Sequence, residues 1–245
     1  MYGWRGRIGL LVPTGNTVME PEFQKWAPEG VSVHANRVYL EDVTPDALLA
    51  MERETGMAAE GLRTCEVGVI AFGCTSGSFV GGPGYDRRLQ MSIETATGIS
   101  AITTTTAVLN AISSFGVSRI AMATPYTDEI NRIEADFLAA QGIEVTAMAG
   151  GGLTETATIQ RLEPSIAYKR AREVDNPAAE LLFISCTGFR TAEIINALEA
   201  DTGKPVVSAN QATFWACLDL LHVGEKPQNA GRLLRAQQLR RTDPS

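Results

Sequence analysis

Short apolar runs rich in β-branched residues alternate along the whole chain with longer amphipathic stretches, and this alternation restricts the possible folds most. The predicted strands are 8–12, 31–38, 67–72, 101–104, 119–123, 144–149, 181–185 and 205–208. The predicted helices are 19–26, 44–63, 85–97, 105–115, 127–141, 163–174, 191–201 and 211–221. Apolar strands that alternate with helices are typical of parallel sheets covered on both faces. The sequence therefore predicts an α/β fold.

The two halves of the chain share motifs at a constant separation. IGLLVP at 8–13 matches IAMATP at 120–125, and the prolines that end these motifs are 112 positions apart. Cys74 and Cys186, each at the end of a predicted strand, are also 112 positions apart. We therefore predict two pseudosymmetric lobes, each a roughly four-stranded parallel sheet flanked by helices. The first lobe is expected at 1–105 and the second at 106–209, with segment 210–245 packing back on the first.

Composition and charge exclude several classes of protein. With 245 residues, 44% of them apolar, the chain can bury a large core without a disulfide or metal staple. Its net charge of −7 argues against nucleic acid and anionic membranes as partners. No apolar run approaches the ~20 residues of a membrane span, and the N-terminus lacks a signal-peptide pattern. We expect a cytoplasmic protein with reduced thiols.

Glycine and histidine patterns give no sign of a nucleotide or metal site. The glycine clusters at 81–84 and 150–152 fit neither the dinucleotide-binding fingerprint nor a P-loop. His34 and His222 lie far from any cluster of cysteine or carboxylate residues. The sequence therefore predicts no nicotinamide, ATP or metal site.

Polar residues follow four of the predicted strands. Ligands in sheets of this kind bind beyond the carboxyl ends of the strands. The four polar strand ends are 13–16, 73–76, 124–127 and 186–188. If the halves are related by a pseudo-twofold axis, these ends face one another, and Cys74 and Cys186 approach a ligand from opposite sides. Cys65 and Cys217 lack this setting and are predicted to be structural.

Cys74 and Cys186 are each followed by threonine and then a small residue, where a helix or turn begins. Backbone N–H groups in such a place bind anions and can lower a thiol pKa from ~8.5 toward ~3.5–7.5. Two thiols on opposite faces can remove and replace a carbon-bound proton. Alternatively, one can add to a double bond while the other protonates the neighbouring carbon. The non-catalytic interpretation is that each cysteine is a small buried apolar residue.

The polar strand ends lie within longer segments that are similar to those of a known family. These segments read GLLVPTGNTVMEPEF, FGCTSGSF, ATPYTDEIN, ISCTGFRT and VVSANQATFW. Together they resemble the maleate cis–trans isomerase family, part of the aspartate/glutamate racemase and arylmalonate decarboxylase superfamily. The resemblance covers roughly residues 5–234 and implies a cofactor-independent enzyme with its active site between two α/β lobes.

The resemblance also implies roles for individual residues. Cys74 matches the family's nucleophile, Cys186 its proton donor, and Asn16 and Tyr126 residues that hold substrate carboxylates. The full set of predicted substrate-binding residues is Pro13, Thr14, Asn16, Thr75, Ser76, Tyr126, Thr156, Thr187 and Gly188. Three simpler interpretations remain open: Asn16 as a helix cap, Tyr126 as a packing aromatic, and the threonines as local caps.

Two departures from the family pattern bear on the substrate. Thr156, preceded by Glu155, stands where maleate isomerases typically carry an asparagine, and an acidic side chain would repel a dicarboxylate. Arylmalonate decarboxylases typically have glycine in place of Cys74, so that branch fits less well. The leading hypothesis is a maleate isomerase-like enzyme for a small unsaturated dicarboxylic acid, with a homodimer or higher homo-oligomer as its candidate assembly. The alternatives are a two-cysteine racemase of an amino acid or N-acyl amino acid, as in ectoine utilisation, an arylmalonate-type decarboxylase, and a non-catalytic ligand-binding protein.

Overall fold

Two separate four-stranded parallel sheets form the framework of the protein, in a computed structural model that describes residues 2–225, 227 and 230–235. Their strands are β1 (Gly6–Pro13), β2 (Val31–Val38), β3 (Val69–Phe72), β4 (Ala101–Thr103), β5 (Arg119–Ala123), β6 (Glu144–Ala149), β7 (Leu181–Ile184) and β8 (Val206–Ser208). The strand orders are β2-β1-β3-β4 and β6-β5-β7-β8. Because the two sheets have the same topology, the predicted fold class is confirmed, and the repeat seen in the sequence has a structural counterpart.

Helices flank both sheets. They are α1 (Met19–Trp26), α2 (Pro45–Ala50), α3 (Glu52–Arg63), α4 (Thr75–Phe79), α5 (Tyr85–Thr97), α6 (Thr104–Ser114), α7 (Asp128–Ala140), α8 (Thr156–Gln160), α9 (Pro164–Val174), α10 (Ile195–Thr202), α11 (Ala209–Leu220) and α12 (Gly231–Arg235). The helix predicted over 44–63 is two helices that meet at Met51. The sequence did not predict α4, α8 and α12, which have five residues each. None of the helices in the described part of the chain is long and apolar enough to cross a membrane.

The strands that precede the two cysteines are buried along their whole length. Every residue of β3 and β7 is buried, as expected for inner strands of parallel sheets with helices on both faces. In contrast, the edge strands β2 and β6 are largely half-buried. The carboxyl ends of β3 and β7 are therefore held by rigid cores.

Helix α11 crosses from the second sheet to the first. Ser208, the last residue of β8, begins the helix with a capping box in which its hydroxyl accepts the N–H of Gln211. The helix then packs on α6 and reaches α1, β3 and β4. Residues 236–245 of the expected C-terminal segment lie outside the described residues.

Glu22 of α1 is a buried carboxyl group at the contact between the lobes. One oxygen accepts hydrogen bonds from the N–H groups of Thr191 (2.6 Å) and Ala192 (2.8 Å), and the other accepts one from Asn210 Nδ2 (2.7 Å). Asn210 Nδ2 also donates to the carbonyl oxygen of Thr187 at 3.1 Å. Burial raises the pKa of Glu22 above its usual value, and these hydrogen bonds oppose the rise. The network joins α1 to the residue that follows Cys186.

Replacing Glu22 with alanine should destabilise the protein by about 3 kcal/mol. The substitution leaves two backbone N–H groups and one N–H of the Asn210 side chain without their acceptor in a buried place. Urea unfolding would measure the loss, with Glu129→Ala on the exposed face of α7 as a control that should change stability by less than about 0.5 kcal/mol. An equally small effect of Glu22→Ala would show that this network does not hold the lobes together.

Candidate active site

A pocket of about 360 Å³ lies between the lobes, where the carboxyl ends of β1, β3, β5 and β7 meet. Both cysteines with the predicted setting, Cys74 and Cys186, line it. The lining residues are Pro13, Asn16, Leu40, Val43, Cys74, Ser76, Tyr126, Thr156, Ile159, Gln160, Cys186, Thr187 and Gly188. Of the predicted site residues, the structure therefore brings all but Thr14 and Thr75 into the lining of one pocket.

Cys74 stands at the N-cap of the short helix α4. Its sulfur accepts the N–H of Gly77 at 3.3 Å and lies 3.8 Å from the hydroxyl oxygen of Ser76. The residues of α4 have low intrinsic helix propensity, and this cap supplies a partner for one of the free N–H groups of its first turn. The thiol therefore lies where a helix begins, as the sequence indicated.

Cys186 follows β7 and has an unusual backbone conformation. Its φ is +99°, which residues with a side chain seldom adopt and which is found most often at functional sites. The sulfur accepts the N–H of Gly188 at 3.4 Å and is hydrogen-bonded to the Tyr126 hydroxyl. The backbone is thus strained at the residue that presents the second thiol to the pocket.

The expected net lowering of the two thiol pKa values is wrong, because both pKa values are raised. Burial raises the pKa of Cys74 to about 11, and the hydrogen bonds from Gly77 and Ser76 only limit the rise. Burial likewise raises the pKa of Cys186 to about 12, against the hydrogen bonds of Tyr126 and Gly188. The loss of water around a thiolate outweighs a few weak bonds to sulfur. Both cysteines are therefore thiols at neutral pH.

Alkylation of Cys74 by iodoacetamide should accordingly be slow at neutral pH and rise about tenfold per pH unit up to about pH 10. Only the thiolate reacts, and its fraction grows in this way below a pKa of about 11. Digestion by a glutamate-specific protease cuts at Glu66, and peptide mass spectrometry would then separate Cys74 from the exposed Cys65, which serves as an internal control. Rapid labelling of Cys74 that does not change between about pH 6 and 8 would contradict a buried thiol.

Asn16 and Thr187 join the two cysteine segments across the cleft. The Asn16 side-chain oxygen accepts the N–H groups of Val18 (2.9 Å) and Met19 (3.0 Å), so Asn16 does cap the start of α1. Its amide nitrogen donates to the Thr187 hydroxyl at 3.0 Å, and that hydroxyl donates to the Gly73 carbonyl at 3.1 Å. The residue before Cys74 and the residue after Cys186 are therefore held together.

A second set of hydrogen bonds joins helix α8, at the wall of the pocket, to the first lobe. The N–H and the hydroxyl of Thr156 both donate to the carbonyl of Glu41, at 3.0 and 2.9 Å. The side-chain oxygen of Gln160 accepts the N–H (2.7 Å) and the hydroxyl (2.8 Å) of Thr17. A Cβ at Gly15 would come within 2.5 Å of the Thr156 hydroxyl oxygen, so this approach of the lobes requires glycine. The Thr156 hydroxyl is thus engaged with the first lobe.

Three residues singled out from the sequence lie elsewhere. Thr14 is exposed, and its hydroxyl bonds to the N–H (3.1 Å) and the carbonyl (3.3 Å) of Leu40, which it holds at the pocket wall. The Thr75 side chain is buried and faces a different cavity. Glu155 is exposed, and its carboxylate accepts the Thr158 hydroxyl. The structure therefore gives these three side chains other contacts than the pocket.

Sequence reasoning missed the apolar wall of the pocket. Leu40 and Val43 follow the carboxyl end of β2. Ligands bind beyond such ends, so a search there for apolar as well as polar residues would have found both. Ile159 and Gln160 belong to the unpredicted helix α8 and had no signal in the sequence. None of the described lining residues is charged, so a bound acid would meet only neutral hydrogen-bond donors. Among the residues that the structure describes, no group of three or more His, Cys, Asp or Glu is placed to hold a metal ion.

Comparison with known proteins finds close likeness in both sequence and structure. A family model described as arylmalonate decarboxylase matches residues 8–234. The chain is 30% identical to an arylmalonate decarboxylase of Bordetella bronchiseptica over 230 residues, which are 92% of this chain and 95% of that protein. It is 27% identical to a maleate isomerase of Pseudomonas putida over 241 residues, 93% and 96% of the two chains. The crystal structure of a cysteine-to-alanine variant of the maleate isomerase Iso from Pseudomonas putida S16 with maleate superimposes with a TM-score of 0.88 at 26% identity, covering 94% of this chain and 97% of that one.

Proposed function

The chain belongs to the family of arylmalonate decarboxylases and maleate isomerases, and from this premise we propose that it is a cysteine-dependent cis–trans isomerase of a small unsaturated dicarboxylic acid, maleate being the first candidate. One observation carries the proposal: Cys74 and Cys186 line a single small pocket from opposite lobes. The isomerase relatives support the choice of reaction. Two thiols suit an addition that is followed by protonation at the neighbouring carbon.

The first step is addition of the Cys74 thiolate to one alkene carbon. With a pKa of about 11, Cys74 is a thiolate in only about one molecule in ten thousand at pH 7, but thiolates are strong nucleophiles. A sulfur–carbon bond forms, and the π electrons move to the neighbouring carbon and its carboxylate. Backbone N–H groups near Pro13, Thr75 and Thr187 and the Asn16 amide are the neutral groups proposed to stabilise this charge.

The second step is protonation by Cys186, which permits rotation. The S–H bond of Cys186 breaks as a C–H bond forms, and the hydrogen bond from Tyr126 stabilises the resulting thiolate. The former double bond is now single and can rotate. Cys186 then takes a proton back from that carbon while Cys74 departs, which releases the trans isomer. One negative charge is conserved through the cycle, and both cysteines return to their starting states.

Proton NMR of the protein with maleate tests this proposal, because the vinyl signals of maleate and fumarate are distinct. We expect fumarate to accumulate with the wild-type protein. No conversion over a wide range of maleate concentration would defeat the maleate assignment. The same spectra recorded in D₂O with amino acids and N-acyl amino acids would detect Cα exchange, the sign of the racemase alternative.

A second candidate, decarboxylation of a malonate with an apolar substituent, is favoured by the wall of Leu40, Val43 and Ile159. It is also supported by the decarboxylase relative at 30% identity. Decarboxylation needs a proton donor but no nucleophile, so Cys186 alone would suffice. Release of CO₂ from phenylmalonate that persists in Cys74→Gly would favour this reaction over isomerisation.

A further inference from the structure

Glu134 is a buried carboxyl group that the proposed reaction does not use. It lies on α7, is 2% exposed, and accepts a hydrogen bond from the Ser185 hydroxyl at 2.6 Å. Ser185 is the residue directly before Cys186, and its own N–H is bonded to the Ala123 carbonyl of β5 at 2.9 Å. Glu134 therefore contacts the segment that presents the second thiol.

A second, much smaller cavity lies beside Glu134 and is separate from the pocket between the cysteines. It is lined by Thr75, Phe79, Thr105, Val108, Glu134, Phe137, Leu138 and Phe183. Two buried oxygens, Thr75 Oγ1 and Glu134 Oε2, have no hydrogen-bond partner among the described residues. Thr75 directly follows Cys74, and Glu134 is bonded to Ser185, which directly precedes Cys186. The cavity therefore lies beside a neighbour of each cysteine. A protonated Oε2 needs a polar partner, and the Thr75 hydroxyl lines the same cavity.

Among the residues that the structure describes, no positive charge lies beside Glu134 to compensate its charge. The helices α4 and α6 and the strand β7, which line the cavity with α7, carry no charged residue. The other charged residues of α7 and of β6, which packs against it, are exposed: Asp128, Glu129, Arg132, Asp136 and Glu144. The negative charge of an ionised Glu134 raises the pKa values of Cys186 and Tyr126. Burial raises the pKa of Glu134 to about 8, although the Ser185 hydrogen bond opposes the rise.

We propose that Glu134 is a positioning residue for the Cys186 thiol: as a neutral acid it holds Ser185 in place, and when ionised it opposes formation of the Cys186 thiolate. The inference rests on the proposed function only for the role of Cys186 as a proton donor. When Cys186 gives up its proton, a buried thiolate forms. A neutral Glu134 adds no repulsion to it, whereas an ionised Glu134 would place a second negative charge nearby. Glu134 keeps its own proton and exchanges nothing with the substrate.

Alkylation of Cys186 by iodoacetamide, followed by peptide mass spectrometry, tests this without any substrate. In Glu134→Gln, which keeps an acceptor for Ser185 but cannot ionise, Cys186 should react about threefold to tenfold faster than in the wild type at about pH 9.5. That is the effect of lowering the pKa of Cys186 by roughly half a unit to one unit. At about pH 6.5, where Glu134 is neutral in the wild type, the two proteins should react alike.

Glu199→Gln is the matched control. Glu199 is a buried carboxyl group of the same lobe, but its partners are the N–H groups of Val206 and Arg232 and the Arg235 guanidinium. This variant should label like the wild type at both pH values.

Ser185→Ala is a second variant that tests the proposal even if Glu134→Gln does not fold. It removes the hydrogen bond that lowers the pKa of Glu134, so Glu134 stays neutral to higher pH. The ratio of the Cys186 labelling rate at about pH 9 to that at about pH 6.5 should then be higher than in the wild type, and this ratio cancels any change of position that acts at both pH values. Equal labelling of Cys186 in the wild type and Glu134→Gln at every pH, or the same acceleration in Glu199→Gln, would overturn the proposal. Labelling of Cys186 can be measured even if the protein does not convert maleate. The proposal for Glu134 and the proposed isomerase activity are therefore tested independently.

Discussion

Replacing Cys74 with alanine is expected to abolish conversion of maleate to fumarate. Without its sulfur no bond to the alkene carbon can form, and the double bond has no other route to rotation in the proposed reaction. NMR should detect no fumarate above the rate of a sample without protein. The exposed Cys65 supplies the control, because Cys65→Ala should convert maleate at the wild-type rate.

The loss in Cys74→Ala should be chemical rather than structural. Cys74 caps only the short helix α4 with its sulfur, so the variant should keep its far-ultraviolet circular dichroism. Turnover within about tenfold of the wild type in a folded Cys74→Ala protein would remove Cys74 from the reaction.

Replacing Cys186 with serine is expected to lower turnover by about 10²–10⁴-fold, the usual effect of removing a positioned acid. Addition by Cys74 precedes protonation, so this variant should still form the sulfur–carbon bond and should accumulate the adduct. Intact-protein mass spectrometry should show a mass increase of one substrate molecule, which Cys74→Ala lacks.

The racemase alternative gives a different result for the same two variants. If the cysteines act as two bases, both variants lose racemisation and neither forms an adduct, while each retains exchange of the α-proton of one enantiomer. Full activity in both variants would exclude the two cysteines from any mechanism. The pair of variants therefore separates isomerisation, racemisation and non-catalytic binding.

Much of the fold could be predicted because its signals are local. Each predicted strand corresponds to an observed one within two residues, since apolar β-branched runs determine buried parallel strands almost independently of context. The repeat of Pro13 with Pro125 and of Cys74 with Cys186 indicated two lobes before their sheets were known. Helices α4 and α8 escaped prediction because five residues are too few for a periodic pattern.

The thiol pKa values could not be predicted, because burial depends on what the rest of the chain places around a residue. Motif reasoning identified the N–H donors to Cys74 and Cys186 but not the loss of water that outweighs them.

The two buried carboxyl groups were missed for a different reason, although each had a signal. Glu22 falls on the apolar face that α1 forms with Met19, Phe23 and Trp26. Glu134 similarly lies one turn before the buried pair at 137–138 on α7. An acidic residue within an apolar helical face indicates a buried carboxyl group, and a search of the helical periodicity for such residues would have found both.

Locating the covalent adduct most directly tests the division of labour between the two cysteines. After Cys186→Ser has been mixed with maleate and quenched, peptide mass spectrometry should find the added mass on the peptide that contains Cys74. After cleavage at Glu66, which separates Cys65 from Cys74, the peptides that contain Cys65 and Cys217 should be unmodified. An adduct on Cys186 in Cys74→Ala, together with none on Cys74 in Cys186→Ser, would contradict the account and reverse the two roles.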